Sequence, residues 1–193
     1  MISIDNFLRN ITMNSLFEEK ILFHMYGCKN CGYAGMLHRH GCYTRNVITI
    51  YQHFPFKVQR FICPSCRKTY SRLPACLIPY FVYSFDVIIF CLFATFSLSL
   101  KLNTSSHFLH SLNPQSFISK QSVFFLKKRF LTSLSLTNSF FALFSSFNYD
   151  MDLSIFKLDY AAGIVIRKIL KFDTCSSFNL DFFNNMPKYF FSP

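Results

Sequence analysis

Two Cys-x-x-Cys pairs, Cys28–Cys31 and Cys63–Cys66, limit what this chain can fold into more than any other feature. A two-residue spacer lets one tight turn aim both sulfurs at one point. Two such turns supply the four thiolates that a tetrahedral zinc ion takes. Gly32 follows the first pair and accepts the positive φ such a turn needs. Arg67 stands in the matching place after the second pair, where that backbone is strained. Residues 32–62 separate the pairs, a longer insert than short zinc modules carry, and a long β-hairpin accounts for it. The expectation is a zinc ribbon holding one structural zinc ion on Cys28, Cys31, Cys63 and Cys66. The run His38-Arg39-His40-Gly41-Cys42 also carries metal-ligand types. Four cysteines already satisfy one ion, so these side chains are read as bordering a turn.

Charge gives the second constraint. The chain has 20 Lys and Arg against 9 Asp and Glu. Between Glu19 and Asp86 there is no acid, while Lys20, Lys29, Arg39, Arg45, Lys57, Arg60, Arg67, Lys68 and Arg72 are basic. From Val87 to Tyr149 there is again no acid, with Lys101, Lys120, Lys127, Lys128 and Arg129. Such a one-sided field attracts polyanions. Double-stranded DNA is the first partner it points to, and an anionic membrane surface the second. Residues 1–20 mix Asp5, Arg9, Glu18, Glu19 and Lys20 with apolar positions and show no secretory leader. The cysteines then point to metal ligation in a reducing cytoplasm rather than to disulfides. Cys76, Cys91 and Cys175 read as buried thiols. The abundance of Phe with no Trp is read as coding bias, not as a sign of base stacking.

Four regions follow along the chain, and together they predict an α+β fold. Residues 1–23 form an amphipathic lead-in, with Phe7, Leu8, Ile11, Leu16, Phe17, Ile21 and Leu22 at helical spacing. Residues 24–83 form the ribbon, a small antiparallel sheet. Met36 to His38 and Thr44 to His53 read as strands, Phe54-Pro55 as a turn or edge, and Phe56 to Ile62 as the strand entering the second knuckle. Arg39, Arg45, Lys57, Arg60, Arg67 and Lys68 are expected on this sheet and its rims, as phosphate contacts.

Residues 84–132 are mostly helical and read as a possible helix-turn-helix. Ser84 caps an apolar helix with Asp86 in its first turn. Asn103 to Ser105 cap a second helix from His107 to Leu112, and Asn113-Pro114 makes a turn. Ser119 then caps Lys120 to Thr132. On that last helix Lys120 and Gln121 would reach base edges, and Lys127, Lys128 and Arg129 would lie near phosphates. Residues 133–193 are Phe- and Ser-rich, with one amphipathic helix at Tyr160 to Phe172 whose polar side carries Arg167, Lys168 and Lys171.

The run from Cys28 to Ser84 carries a more specific pattern. Cys-x-x-Cys-Gly is followed by Arg39-His40-Gly41, Arg45, Arg60-Phe61, Cys63, Cys66, Lys68-Thr69-Tyr70-Ser71 and Leu73-Pro74. Over residues 25–85 this resembles the zinc-ribbon module of bacterial insertion-sequence transposases. It is closer to an uncharacterised family of transposase-like proteins with that ribbon at the front. Arg67 departs from the Gly usual there. The resemblance implies a bacterial, cytoplasmic DNA-recognition module with a helix-turn-helix after the ribbon, and with a transposase subunit or a second copy as partner.

Two other readings compete. Leu73 to Leu100 carries one charge, Asp86, and could anchor a cytosolic ribbon to a membrane from within residues 74–100. The uncharged part, Val87 to Leu100, is shorter than the roughly 20 residues a spanning helix needs, and Pro74 and Pro79 interrupt the rest. A complete nuclease would need carboxylates gathered by a large fold around two metal ions. Asp150, Asp152, Asp159, Asp173 and Asp181 show no such spacing, so no enzymatic activity is expected.

Overall fold

The computed structural model describes residues 24–112, 114, 117–143, 156–171, 178–179, 181–182 and 185–186. The lead-in expected over residues 1–23 and the thiol expected at Cys175 lie outside them. Among the described residues, a three-stranded antiparallel sheet is followed by five helices, an α+β fold. The strands are β1 (His38–Ile48), β2 (His53–Ile62) and β3 (Thr69–Ser71), in the spatial order β1-β2-β3. The helices are α1 (Phe85–Phe96), α2 (Leu102–Leu112), α3 (Lys120–Thr132), α4 (Leu134–Ala142) and α5 (Leu158–Ile169).

The hairpin fills the long insert between the knuckles, with boundaries that differ from the expected ones. The strand read as Thr44 to His53 stops at Ile48, because Thr49 folds the chain back. Its hydroxyl accepts from the Gln52 amide at 3.0 Å and donates to the Gln52 carbonyl, a local bond that competes with the strand ladder. Phe54-Pro55 is neither a turn nor an end but lies inside β2, where Pro55 pairs with Asn46. β3 covers only Arg60 to Ile62, so β2 is open on one side at Pro55, the setting in which a strand tolerates a missing N–H. Met36 makes one isolated bridge to Tyr26 instead of starting a strand. The His38–Cys42 run belongs to β1 rather than to a turn. A bulge between Arg39 and Cys42 adds a residue there, and Gly41 takes φ 79°.

Opposite faces of the sheet serve different cores. Toward the knuckles, Phe61 packs with Leu37, Cys28 and Cys63. Toward the hairpin tip, Val47 packs with Leu77 and Cys76, flanked by Phe54 and Phe56. Phe61 has odd strand parity on β2, whereas Phe54 and Phe56 have even parity. Since strand side chains alternate, the two clusters occupy opposite sides of the ribbon. The tip itself enters a third cluster, because Ile50 is fully buried among the helical residues.

Residues 76–84 tie sheet to helices. The Ile48 amide donates to Val82 and the Ser84 amide donates to Ile48, both at 2.9 Å, and the Phe85 amide donates to Cys76. Ser84 does occupy the N-cap of α1, yet its hydroxyl makes no cap bond. It donates instead to the Ile48 carbonyl at 3.0 Å, fixing the helix start to the sheet. α1 is buried almost all round, as a helix with no polar stripe must be. It packs against α2, α3 and α5. Residues 74–100, considered above as an anchor, thus contain this 12-residue central helix. Among the described residues no helix is long and apolar enough to cross a membrane.

α2 begins a turn earlier than expected, at Leu102, because Ser105 is buried and its hydroxyl returns to the Lys101 carbonyl instead of capping. α3 has the expected span and cap: the Ser119 Oγ accepts from the Ser122 amide at 3.1 Å, and Val123, Leu126 and Phe130 are its buried face. α5 starts at Leu158 and ends at Ile169, so Lys171 lies past its end. The Phe residues discounted in the sequence build much of this core. Phe140 packs its ring 5.4 Å from Phe178 and 5.1 Å from Phe182, and Phe178 stacks on Phe85 at 5.8 Å.

Gly163 sets the approach of α5 to α1. A Cβ there would lie 3.1 Å from the Phe96 carbonyl oxygen, which is backbone and yields poorly. Gly163→Val should therefore destabilise the chain by roughly 1–3 kcal/mol, the range for overpacking a core. Denaturant unfolding measures this, and metal content should be unchanged.

Candidate metal centre

The four cysteines Cys28, Cys31, Cys63 and Cys66 come together with all their sulfurs within 4.8 Å of one another. Cys28 Sγ lies 3.6 Å from Cys66 Sγ, and Cys31 Sγ lies 3.7 Å from Cys63 Sγ. In a tetrahedron with metal–sulfur bonds of about 2.3 Å the edges are about 3.8 Å. The donor set and its spacing therefore fit one metal ion of the zinc type. Among the described residues no other group of three or more His, Cys, Asp or Glu comes as close together.

The two knuckles have the same backbone construction. The Gly32 amide donates to the Cys28 carbonyl at 2.9 Å, and the Arg67 amide donates to the Cys63 carbonyl at 3.0 Å. One residue further on, the Tyr33 carbonyl accepts from the Cys28 amide and the Lys68 carbonyl from the Cys63 amide. Gly32 sits at φ 73° and Arg67 at φ 61°, so the positive φ inferred from the sequence occurs in both turns. The Lys68 amine bridges the knuckles by donating to Asn30 Oδ1 at 2.6 Å.

One residue at the centre went unassigned in the sequence. The Tyr70 hydroxyl lies 3.1 Å from Cys28 Sγ, delivered there by β3. With Cys28 as thiolate the phenol must donate. That hydrogen bond is the main reason the Cys28 thiol is pulled down to about 6, against the opposing effect of burial. The same contact raises the Tyr70 phenol to about 12. Cys63, at the floor of the cluster, is pushed up to about 11 by desolvation. Cys66 is lowered, first by its hydrogen bond from the Lys68 backbone. A signal for Tyr70 did exist: it stands four residues after Cys66, on the strand that leaves the knuckle.

The candidate nucleic-acid contacts differ in their surroundings. Arg39, Lys57, Arg67, Lys120, Gln121 and Lys128 are exposed. Arg45, Arg60, Lys127 and Arg129 are less exposed and make contacts that bear on their role. The half-buried Arg45 guanidinium donates to the Ile78 carbonyl at 2.8 Å, and burial lowers its pKa. Arg60 donates to Thr69 Oγ1 at 3.2 Å. Lys127 pairs with Asp159 at 2.8 Å and lies over the Phe96 ring. Arg129 stacks on Phe125 and Phe81. His38, His40 and Cys42 are exposed along β1 and are not among the clustered metal-ligand groups.

Comparison with known families places one name on this architecture. Residues 28–105 match the family described as "Domain of unknown function (DUF6431)". The matched stretch takes in both knuckles, the whole sheet, α1 and the first turn of α2, and it ends before α3. No curated protein and no solved structure matches the chain. Nothing in these matches names a transposase.

Cys63→Ser should abolish stoichiometric metal binding and unfold the ribbon, since binding at such a site is itself folding free energy. His40→Ala should leave both intact by metal analysis and circular dichroism. Tyr70→Phe should keep the metal but weaken its retention against a chelator by about tenfold, the lower end for loss of a supporting hydrogen bond. Metal binding must also expel the proton that desolvation keeps on Cys63. Apparent affinity should therefore rise with pH and fall on acidification, as a cobalt titration between about pH 6 and 8 would report.

Proposed function

We propose that the four cysteines hold one structural zinc ion and that the ribbon built on it binds double-stranded DNA. The observation that carries the DNA part is the charge distribution. From residue 20 to residue 149 the chain has one carboxylate, Asp86. Burial raises the pKa of that carboxyl. A single carboxylate in this stretch does little to offset the positive field of its basic residues. The sulfur spacing and the duplicated knuckle turns support zinc. Zinc with four thiolates leaves no position for water, so its part is to hold the fold rather than to activate a nucleophile.

On this reading Arg39, Lys57 and Arg67 meet phosphates from the ribbon. Lys120, Gln121 and Lys128 meet the duplex from α3, with Lys120 and Gln121 toward base edges. Arg60 and Lys68 can add charge while keeping their bonds to Thr69 and Asn30. Arg45 and Lys127 contribute mainly through packing, while Arg129 adds charge from its place over the Phe125 and Phe81 rings. α2 and α3 are in contact and α1 packs on both, a three-helix arrangement open to a helix-turn-helix role. Their connection, residues 113–119, is longer than the 3–4-residue turn of that motif. The resemblance to transposase zinc ribbons supports a DNA-recognition module in a bacterial cytoplasm, working with a transposase subunit or a second copy. No catalytic step is assigned to it: Asp159 is committed to Lys127, and Asp150 and Asp152 lie outside the described residues.

Duplex binding measured by fluorescence anisotropy over a salt series tests this. Lys57→Ala should weaken binding to all duplexes alike and lower the salt slope by about one unit. Gln121→Ala should lose roughly 1–3 kcal/mol at a selected site and little at random DNA. Arg45→Ala should lower stability first, with binding following only as far as folding does. Binding that ignores salt, or no binding at all, would refute the DNA assignment. Cleavage in Mg²⁺ that depends on Asp150 or Asp152 would refute the non-enzymatic one.

A further inference from the structure

Residues 80–83 and α3 line an open groove that combines aromatic rings with a cation. Its walls include Tyr80, Phe81, Tyr83, Gln121, Phe125 and Arg129, and it encloses about 560 Å³. Tyr80 is 99% exposed and Phe125 is 47% exposed, so two aromatic rings stand in solvent at one opening. The Arg129 guanidinium lies 4.6 Å from the Phe125 ring centre and 5.6 Å from that of Phe81, which sets a positive charge against the aromatic wall. No carboxylate lines the groove among the described residues.

Tyr80 supplies an independent observation. Its φ is 69°, in the left-handed region where a bulky residue is strained and glycine is not. Stability alone gives no reason to keep a large, solvated ring on such a backbone. Ligand clamps are among the places where such strained backbone is kept.

Building on the DNA-binding reading, we propose that this groove seats an unpaired base of single-stranded DNA. The exposed rings of Tyr80 and Phe125 offer faces for stacking, which any base accepts. Arg129, the one cation that lines the groove among the described residues, supplies the positive charge for an adjoining phosphate. An acidic protein segment would satisfy the charge but not use two open rings. A lipid surface would favour protruding side chains over a recess. The site joins residues 80–83, inside the stretch that matches the family model, to α3, which lies beyond it.

The experiment uses the zinc-loaded 193-residue chain. One probe is a thymidine-rich single strand of about 12 nucleotides carrying one 2-aminopurine. The other is a duplex of the same length. The base analogue should be quenched on binding. Tyr80→Ala and Phe125→Ala should each weaken single-strand binding by about tenfold and remove the quench. Tyr80→Phe should restore both, and duplex affinity should stay as in the parent chain. Tyr80→Gly should raise the melting temperature while losing the single strand, which separates a binding role from a structural one. Unchanged strand affinity and quench in Tyr80→Ala and Phe125→Ala would overturn the base site. If duplex binding then remains salt-dependent, the ribbon assignment stands alone. Equal losses for strand and duplex would also overturn it, as would a change in oligomeric state or in binding to anionic vesicles with strand binding intact. Absence of all DNA binding in the parent chain would overturn both assignments.

Discussion

Four sulfurs within 4.8 Å of one another are what the ribbon depends on. Its own core is very small: Cys28, Leu37, Phe61 and Cys63 are buried there, and two of those are the sulfur donors. So little apolar burial does not hold a fold against chain entropy, and modules of this size rely on a metal or a disulfide. Without a cation, four clustered thiols lose protons only against mutual repulsion. With one, the same crowding becomes attraction. The knuckle bonds at Cys28 and Cys63 and the Tyr70 contact then have a fixed point to organise around. β3, only three residues long, is held because the second knuckle leads into it.

The sheet passes that order to the rest of the molecule. One face rests on the metal end and the other on Val47, Cys76 and Leu77, while Ile50 at the tip reaches the helical core. The bulge at Arg39–Cys42 adds one residue to β1 near where the ribbon changes its buried side. Ser84 completes the link, since its backbone and its hydroxyl both bond Ile48. The polar atoms at this junction serve the connection between layers, which is why the Ser84 hydroxyl does not close its own helix.

Much of this was legible in the sequence, and the exceptions have physical causes. The metal cluster could be read because ligand spacing is a local property, and the Arg67 backbone followed from its equivalence to Gly32. The α3 span could be read because a cap and an apolar stripe are also local. The hairpin turn was missed because Thr49 to Gln52 looks like strand material, and the decisive bond comes from a Thr hydroxyl. The α2 start was missed because Ser105 is as good a buried back-bonding residue as it is a cap. Tyr70 at the cluster, Arg45 on Ile78 and Lys127 on Asp159 depend on contacts over 32 to 42 residues of sequence, which no local pattern shows. Composition also misled: the Phe residues attributed to coding bias form the ring cluster around Phe140 and Phe178.

The burial of Ile50 bears on how portable the ribbon is. A module cut from this chain after residue 83 would keep the four clustered sulfurs and β1 to β3. It would also expose a fully buried isoleucine at its tip and lose the Ser84 bonds to Ile48. The smallest unit that recombination could move intact therefore includes at least α1, the helix that covers this tip. The family match extends through α1 to residue 105 instead of stopping where the strands do. The matched stretch and the burial of Ile50 among helical residues thus agree in joining the knuckles to α1.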